Sequence, residues 1–200
     1  TNEFGTPLLS SVFASVQARA SHDLLCYVNA DMLLFPDLVD AVRRVTGACD
    51  RFLVVGETFD LEVSRDLAVD AAEAQRLEER ARAEGTRRGR KAIDFFVFRR
   101  GTLGEVLDFA VGRPCWDNWV IWRARSLRMP VVDVTDVATV IHQSHEYGHV
   151  QHVRGSRWEG PEGDANFELM RWEERRFSID DATHVALVDG GLAPKKTSLQ

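Results

Sequence analysis

A short apolar run that ends at a carboxylate and leads into a helix pattern constrains the fold of this chain more than any other feature. The run is Leu24–Val28, the turn after it is Asn29-Ala30-Asp31, and an amphipathic helix pattern begins after Pro36. In α/β proteins, ligand chemistry is placed at the carboxyl end of a buried strand. An aspartate there offers a hard oxygen ligand for a divalent cation and, through the cation, for a diphosphate.

Alternating helix and strand patterns place the chain in the α/β class. Apolar residues recur at helical spacing in segments that we predict as helices at residues 8–20, 37–45, 66–82, 103–109, 116–125 and 166–177. Compact apolar runs predict strands at residues 24–28, 51–56, 93–98, 131–134, 137–141 and 183–188. Helices and strands in this order indicate a sheet covered by helices.

Composition and charge exclude several classes of protein. The 200 residues are 44% hydrophobic and 28% charged, which suits one globular domain with a buried core. The net charge of −6 argues against a surface for nucleic acid or anionic membrane. The sequence contains no apolar run that would span a bilayer and no signal-peptide pattern. Its widely spaced cysteines, Cys26, Cys49 and Cys115, are typical of free thiols, so a cytoplasmic location is expected.

A second candidate site places a carboxylate between tryptophans. The segment Trp116-Asp117-Asn118-Trp119 lies where a helix is predicted to begin, and Asp or Asn is favoured near a first turn. Tryptophan faces stack on sugar rings, and an adjacent carboxylate can remove the proton of a hydroxyl acceptor. The same residues also fit a plain helix start whose tryptophans enter the core. The sequence leaves both interpretations open.

A third candidate site is a cluster of histidines at positions 142, 145, 149 and 152. Within it, His145-Glu146-Tyr147-Gly148-His149 matches H-E-x-x-H, in which two histidines on a helix bind zinc and the glutamate is the base. The β-branched residues before the cluster favour a strand and a loop, and Gly148 costs about 1 kcal/mol in a helix interior. A zinc metallohydrolase is therefore an alternative. We expect the cluster to contact a metal or a phosphate.

Taken together, these motifs resemble the catalytic domain of GT-A-type glycosyltransferases, in the group similar to glycosyltransferase family 2. The resemblance covers residues 5–149 and rests on short motifs in a particular order. These are Gly5-Thr6-Pro7-Leu8-Leu9, Tyr27-Val28-Asn29-Ala30-Asp31, Val55-Gly56, Asp94-Phe95-Phe96-Val97-Phe98, Gly112-Arg113, Trp116-Asp117-Asn118-Trp119, Val132-Asp133-Val134-Thr135 and His142-Gln143-Ser144-His145-Glu146-Tyr147. Relative to that family, the chain starts after the first nucleotide-binding β-α-β unit, so we expect a fragment or a reduced form of the domain.

The resemblance implies a GT-A-like, Rossmann-like mixed sheet flanked by helices. It implies one catalytic domain over residues 1–192, with a core at 5–150, a C-terminal extension at 151–192 and a disordered tail at 193–200. The implied reaction moves a sugar from a nucleotide-diphosphate sugar to a hydroxyl acceptor such as a glycan, assisted by Mn²⁺ or Mg²⁺. A truncated carbohydrate-binding or assembly domain without catalysis is an alternative within the same fold.

The resemblance also assigns roles to individual residues. Asn29 stands where the D-x-D motif of that family has its first acid, and Asp31 where it has its second. The donor nucleotide-sugar is assigned to Asn29, Asp31 and Arg113, and the metal to Asp31, His142 and His145. The acceptor base is Asp117, with Asp94 as the second choice, and the acceptor pocket is assigned to Trp116, Asn118 and Trp119.

Overall fold

The computed structural model describes residues 1–64, 66–68, 70–144 and 159–195, and it confirms the predicted α/β class. Its helices are α1 (Leu9–Arg19), α2 (Pro36–Ala48), α3 (Ala71–Glu84), α4 (Trp116–Ser126), α5 (Pro161–Met170) and α6 (Trp172–Arg175). Its strands are β1 (Leu24–Val28), β2 (Met32–Leu34), β3 (Leu53–Val55), β4 (Phe59–Leu61), β5 (Thr86–Arg87), β6 (Phe95–Arg99), β7 (Val131–Asp133), β8 (Val140–Gln143), β9 (His184–Ala186) and β10 (Leu192–Pro194). In the part of the chain that the structure describes, no helix has the length and apolar character needed to cross a membrane.

The larger sheet has six strands in the order β1-β6-β3-β7-β9-β10. It is mixed: β7 runs parallel to both β3 and β9, whereas β6 is antiparallel to β1 and β3, and β10 to β9. The residues of β3, at the centre, are all 0% exposed. A continuous apolar run of this kind is typical of a strand covered on both faces.

Helices cover the two faces of this sheet and create two cores. Alternation along β6 sends Phe96 and Phe98 into one core and Phe95 and Val97 into the other, as the two-residue period of a strand requires. The first core contains residues of α1 and α4, and the second is closed by the apolar face of α2. The sheet is therefore the middle layer of a helix–sheet–helix arrangement.

A smaller sheet of four strands, in the order β2-β8-β4-β5, brings separate parts of the sequence together. Strand β8 is antiparallel to β2 and parallel to β4, and α3 packs beside β4. In this register His142 of β8 lies opposite Met32 of β2 and Asp60 of β4. Since Asp31 directly precedes β2, the small sheet gathers two carboxylates around one histidine.

Three predicted segments differ from the structure. Residues 103–109 were predicted as a helix but form turns, with Gly101 and Gly104 at φ +74° and +65°. Buried Leu103, Val106 and Phe109 recur every third residue, so the turns imitate helical spacing.

The predicted helix at residues 166–177 begins earlier, at Pro161, and is interrupted at Arg171, which has φ +53°. The predicted disordered tail is wrong at its start, because β10 pairs with β9 and the Lys195 amide donates to the Thr183 carbonyl at 2.8 Å. Residues 196–200 lie outside the described part of the chain.

Candidate functional site

A cleft of about 1420 Å³ lies between the carboxyl end of β1, the loop before β6, the start of α4 and the end of β8. Its walls include almost every described residue to which the sequence assigned a role. These are Asn29, Asp31, Asp94, Arg113, Trp116, Asp117, Asn118 and His142. Residues that are far apart in the sequence thus converge on one space, which is large enough for a ligand of drug size.

Two of the assigned residues stand apart. Trp119 is 3% exposed and packs against Phe109 and Trp122, with ring centroids 5.4 and 6.2 Å away, so it belongs to the core and not to an acceptor pocket. Trp116, three positions earlier on the same face of α4, is buried in the same core at 5% exposure, although it also lines the cleft. His145 lies outside the described residues, as do Glu146 and His149 of the zinc motif.

Asp117 occupies the first turn of α4, at the inner wall of the cleft. Its carboxylate accepts a hydrogen bond from the Asn118 amide at 2.9 Å. Burial raises the pKa of Asp117 to about 7, and the nearby charge of Asp94 adds to the rise. A carboxylate with a pKa near neutrality is suited to act as a general base at physiological pH.

The neighbours of Asp117 are held firmly. The ring of Trp116 meets the ring of Tyr27 edge-on, with centroids 4.9 Å apart. The side-chain amide of Asn118 donates to the Phe177 carbonyl at 2.6 Å, which ties α4 to the segment after α6. Cys115, immediately before the helix, has φ +85°, a conformation that L residues rarely adopt. These contacts place Asp117 by packing on both sides.

The raised pKa of Asp117 makes its contribution to stability depend on pH. Because the pKa rises from 3.8 to about 7 on folding, the folded state binds the proton more tightly, and the free energy of unfolding falls as the pH rises between these values. Asp117→Asn is expected to be more stable than the wild type at pH 8 by roughly 4 kcal/mol, since each pKa unit corresponds to about 1.4 kcal/mol, and similar to it at pH 4. Thermal unfolding at both pH values measures this. Asp50→Asn, at an exposed position, is the control, and an equal response of both variants to pH would contradict the prediction.

Asp94 is more enclosed than Asp117 and is held by several donors. It is 6% exposed, and it accepts hydrogen bonds from the Asn29 side chain at 3.1 Å and from the Thr58 hydroxyl at 2.9 Å. The Arg88 Nε atom lies 3.3 Å from its second oxygen. Asn29 therefore acts on Asp94 in this structure, and a carboxylate engaged by this many donors is a weaker candidate for the base than Asp117.

His142 lies between carboxylates and is 4% exposed. Its Nε2 atom is 3.2 Å from Asp31 Oδ2, and its Nδ1 atom is 2.8 Å from Asp60 Oδ1 and 2.6 Å from Arg88 Nη1. Asp60 was not among the residues singled out in the sequence. In β4 the alternation Phe59-Asp60-Leu61 buries the two apolar neighbours and turns the acid to the opposite face, but three residues are too few for this pattern to be recognised in the sequence.

The donor set around His142 does not fit a preformed metal site. Next to Nδ1 lie both Arg88, which can only donate, and the Asp60 carboxylate, which accepts, and next to Nε2 lies Asp31. Both ring nitrogens are therefore engaged by protein groups before any cation binds. Within residues 1–64, 66–68, 70–144 and 159–195, no group of three or more His, Cys, Asp or Glu is arranged to hold a metal. The predicted metal site at Asp31 and His142, with His145 outside the described residues, stays a prediction.

Arg113 lines the cleft, but its charge is matched by a buried carboxylate. Its Nε and Nη2 atoms donate to Glu162 Oε2 at 3.0 and 2.5 Å, and the Asn2 side chain donates to Glu162 Oε1 at 2.6 Å. Burial alone raises the pKa of Glu162, but hydrogen bonds from Thr6, Asn2 and Arg113 outweigh burial and lower it. The predicted role of Arg113 in donor binding would have to coexist with this pair.

The cleft therefore combines a carboxylate of near-neutral pKa, an aromatic wall and a cluster of opposite charges. Asp117 and Trp116 lie at the start of α4, and Asp31, Asp60 and His142 lie at the edge of the small sheet. Comparison of the chain with protein-family models, with curated proteins and with solved structures found no significant match. An assignment of function consequently depends on the chemistry of the cleft.

Proposed function

We propose that the cleft binds a nucleotide-diphosphate sugar and transfers its sugar to a hydroxyl acceptor, as in a GT-A-type glycosyltransferase. The observation that carries the proposal is Asp117, a carboxylate whose pKa is raised to about 7 and which lines a large cleft beside Trp116. The mixed, helix-covered sheet is of the class in which such enzymes occur, and the sequence motifs from Tyr27 to His142 meet around the same space.

In the proposed reaction, the Asp117 carboxylate removes the proton from the acceptor hydroxyl. The acceptor oxygen then forms a bond to the anomeric carbon of the donor sugar. The bond between that carbon and the diphosphate oxygen breaks, and its electron pair leaves with the diphosphate. One displacement of this kind inverts the anomeric configuration. The product is the glycosylated acceptor, a nucleoside diphosphate and a protonated Asp117, which releases its proton to solvent.

Other residues of the cleft position the reactants. The Trp116 ring is 5% exposed and packs edge-on against Tyr27, so it supports the wall beside Asp117 and does not present a free face to a sugar ring. The bonds from Asn118 to Phe177 and from Asn29 to Asp94 fix two parts of the cleft wall. Pre-positioned groups of this kind lower the barrier because little reorganisation is left for the reaction itself.

Isothermal titration calorimetry with UDP and with GDP tests the proposal, each in a buffer with EDTA and in one with Mn²⁺. We expect a dissociation constant between about 1 μM and 1 mM, the usual range of substrate affinities, for at least one nucleotide. Asp117→Asn is the matched control and should bind equally well, since Asp117 acts on the acceptor. Absence of binding to either nucleotide in both buffers would contradict the proposal. Glycan binding without any effect of nucleotide would instead support a non-catalytic carbohydrate-binding domain.

A further inference from the structure

A guanidinium lies among the carboxylates of the cleft, at the place where the sequence predicted a metal ion. The Arg88 side chain is 15% exposed, and its Nη1 atom lies 3.0 Å from Asp60 Oδ1. The same Nη1 atom is 2.6 Å from His142 Nδ1, and Nε is 3.3 Å from Asp94 Oδ2. One fixed positive charge therefore joins the acid of β4, the acid before β6 and the imidazole of β8.

We propose that Arg88, with Lys91 at the rim, is the cation that binds the donor diphosphate, so that the donor binds without a divalent metal. This inference rests on the proposed function, because it names the group that receives the leaving diphosphate. A guanidinium matches phosphate oxygens with paired hydrogen bonds and stays charged at every physiological pH. It would stabilise the negative charge that develops as the bond to the sugar breaks.

The basic side chains near Arg88 point in two different directions. Arg88 and Lys91 line the cleft. Arg87 points elsewhere, with its guanidinium 4.7 Å from the centre of the Phe59 ring and 3.9 Å from Glu57. Of the basic residues at 87–91, only part therefore faces the candidate site.

Arg90 anchors this loop to the body of the protein. It forms a hydrogen-bonded ion pair with Asp133, which is 6% exposed, and its Nε atom donates to Asp180 at 2.5 Å. Its Nη2 atom also donates to the Ile179 carbonyl at 3.1 Å. With Arg90 fixed in this way, the neighbouring Arg88 is held in place before any ligand arrives, which reduces the ordering that binding requires.

The charges around the cleft explain why a cation is needed there. Its walls carry the carboxylates of Asp31, Asp60 and Asp94 in addition to Asp117. A diphosphate would be repelled from such a surface unless positive charge offset it. The positive side chains on the same walls are Arg88, Lys91 and Arg113, and Arg113 is matched by Glu162. Arg88 is also paired, with Asp60 and Asp94, so a diphosphate would share its guanidinium with these carboxylates, whereas Lys91 is exposed at the rim.

Calorimetry with inorganic pyrophosphate and with UDP and GDP, in EDTA and in Mn²⁺, tests the inference on the full chain. In EDTA the wild type should bind, and Arg88→Ala should weaken binding by roughly 10- to 100-fold, the loss of charged hydrogen bonds. Arg88→Lys should recover part of the affinity, because it keeps the charge but not the planar fork. Arg87→Ala is the matched control: it removes a charge from the same loop, outside the cleft, and should change the affinity by less than about twofold.

The remaining variants keep the inference testable if Arg88→Ala does not fold. Lys91 is exposed, so Lys91→Ala should fold normally and weaken binding in EDTA by roughly 3- to 10-fold. Binding that requires Mn²⁺ and is equal in the wild type, Arg88→Lys and Lys91→Ala would overturn the inference and leave the proposed function standing. No binding of pyrophosphate or nucleotide in either buffer would overturn both.

Discussion

Replacing Asp117 by asparagine is expected to lower kcat for sugar transfer by roughly 10²- to 10⁴-fold, the usual contribution of a general base. Asparagine has nearly the same shape and can still accept the hydrogen bond from the Asn118 amide, so α4 should keep its place. It cannot take a proton from the acceptor hydroxyl. Donor affinity should be nearly unchanged, and therefore the loss should appear in kcat rather than in KM for the donor.

The pH dependence of the rate provides a second measurement on the same variants. Because burial raises the pKa of Asp117 to about 7, the wild-type rate should fall as the pH drops below that value and the base becomes protonated. In Asp117→Asn the rate should show no such fall at acidic pH. Asp50→Asn, at an exposed position, should keep both the wild-type rate and its fall at acidic pH. A normal rate in Asp117→Asn, together with a large loss in Asp94→Asn, would transfer the role of base to Asp94.

Replacing Arg113 by alanine is expected to destabilise the fold by about 3 kcal/mol. The side chains of Arg113 and Glu162 are only 11% and 3% exposed, so removal of the arginine leaves a carboxylate inside the protein without its main counter-charge. Hydrogen bonds from Asn2 and Thr6 remain and keep the loss at the lower end of the range for buried pairs. Urea unfolding of the wild type and the variant at pH 7 measures the difference.

A double variant separates the structural role of Arg113 from a role in donor binding. In Arg113→Met with Glu162→Gln, the buried charge is gone while the bond from Asn2 is kept, so at least half of the lost stability should return. Arg43→Ala is the control, since the pair of Arg43 and Asp40 is 75% and 57% exposed and should contribute less than about 1 kcal/mol. Equal losses in Arg113→Ala and Arg43→Ala would contradict the prediction. A stable double variant with weakened donor affinity would support the donor role implied by the sequence.

The parts of the fold that the sequence predicts well are those with a long or strongly patterned apolar signal. The central strands, such as Leu53–Val55, are buried on both faces, and the helix Pro36–Ala48 has a clear apolar face, so local pattern and final environment agree. The strands Met32–Leu34, Phe59–Leu61 and Thr86–Arg87 were not predicted. With two or three residues each, they are too short for alternation to be recognised, and distant partners determine them.

The same distinction between strongly patterned and short elements applies to the candidate site. Asp31, Asp117 and His142 are recognisable because each follows or begins a regular element, and the structure places all three on the walls of one cleft. Asp60 and Arg88 belong to a short strand and a loop, where no periodic signal marks them, and their role depends on pairing between β4 and β8. Trp119 illustrates the opposite error, since proximity to Asp117 in the sequence suggested a pocket residue, while its side chain packs in the core against Phe109 and Trp122.

Because Arg90 contacts Asp180 and Ile179, we expect the cleft to be completed late during protein synthesis. Strand β3 pairs with β7, and β7 with β9, so the middle of the large sheet joins residues near positions 54, 132 and 184. A ribosome delivers these segments one after another, and the contacts of Arg90 with Asp180 and Ile179 form only after residues around 180 have emerged. We therefore expect the nascent chain to acquire ligand affinity only near the end of this sequence, in a step slowed by pairing between distant segments.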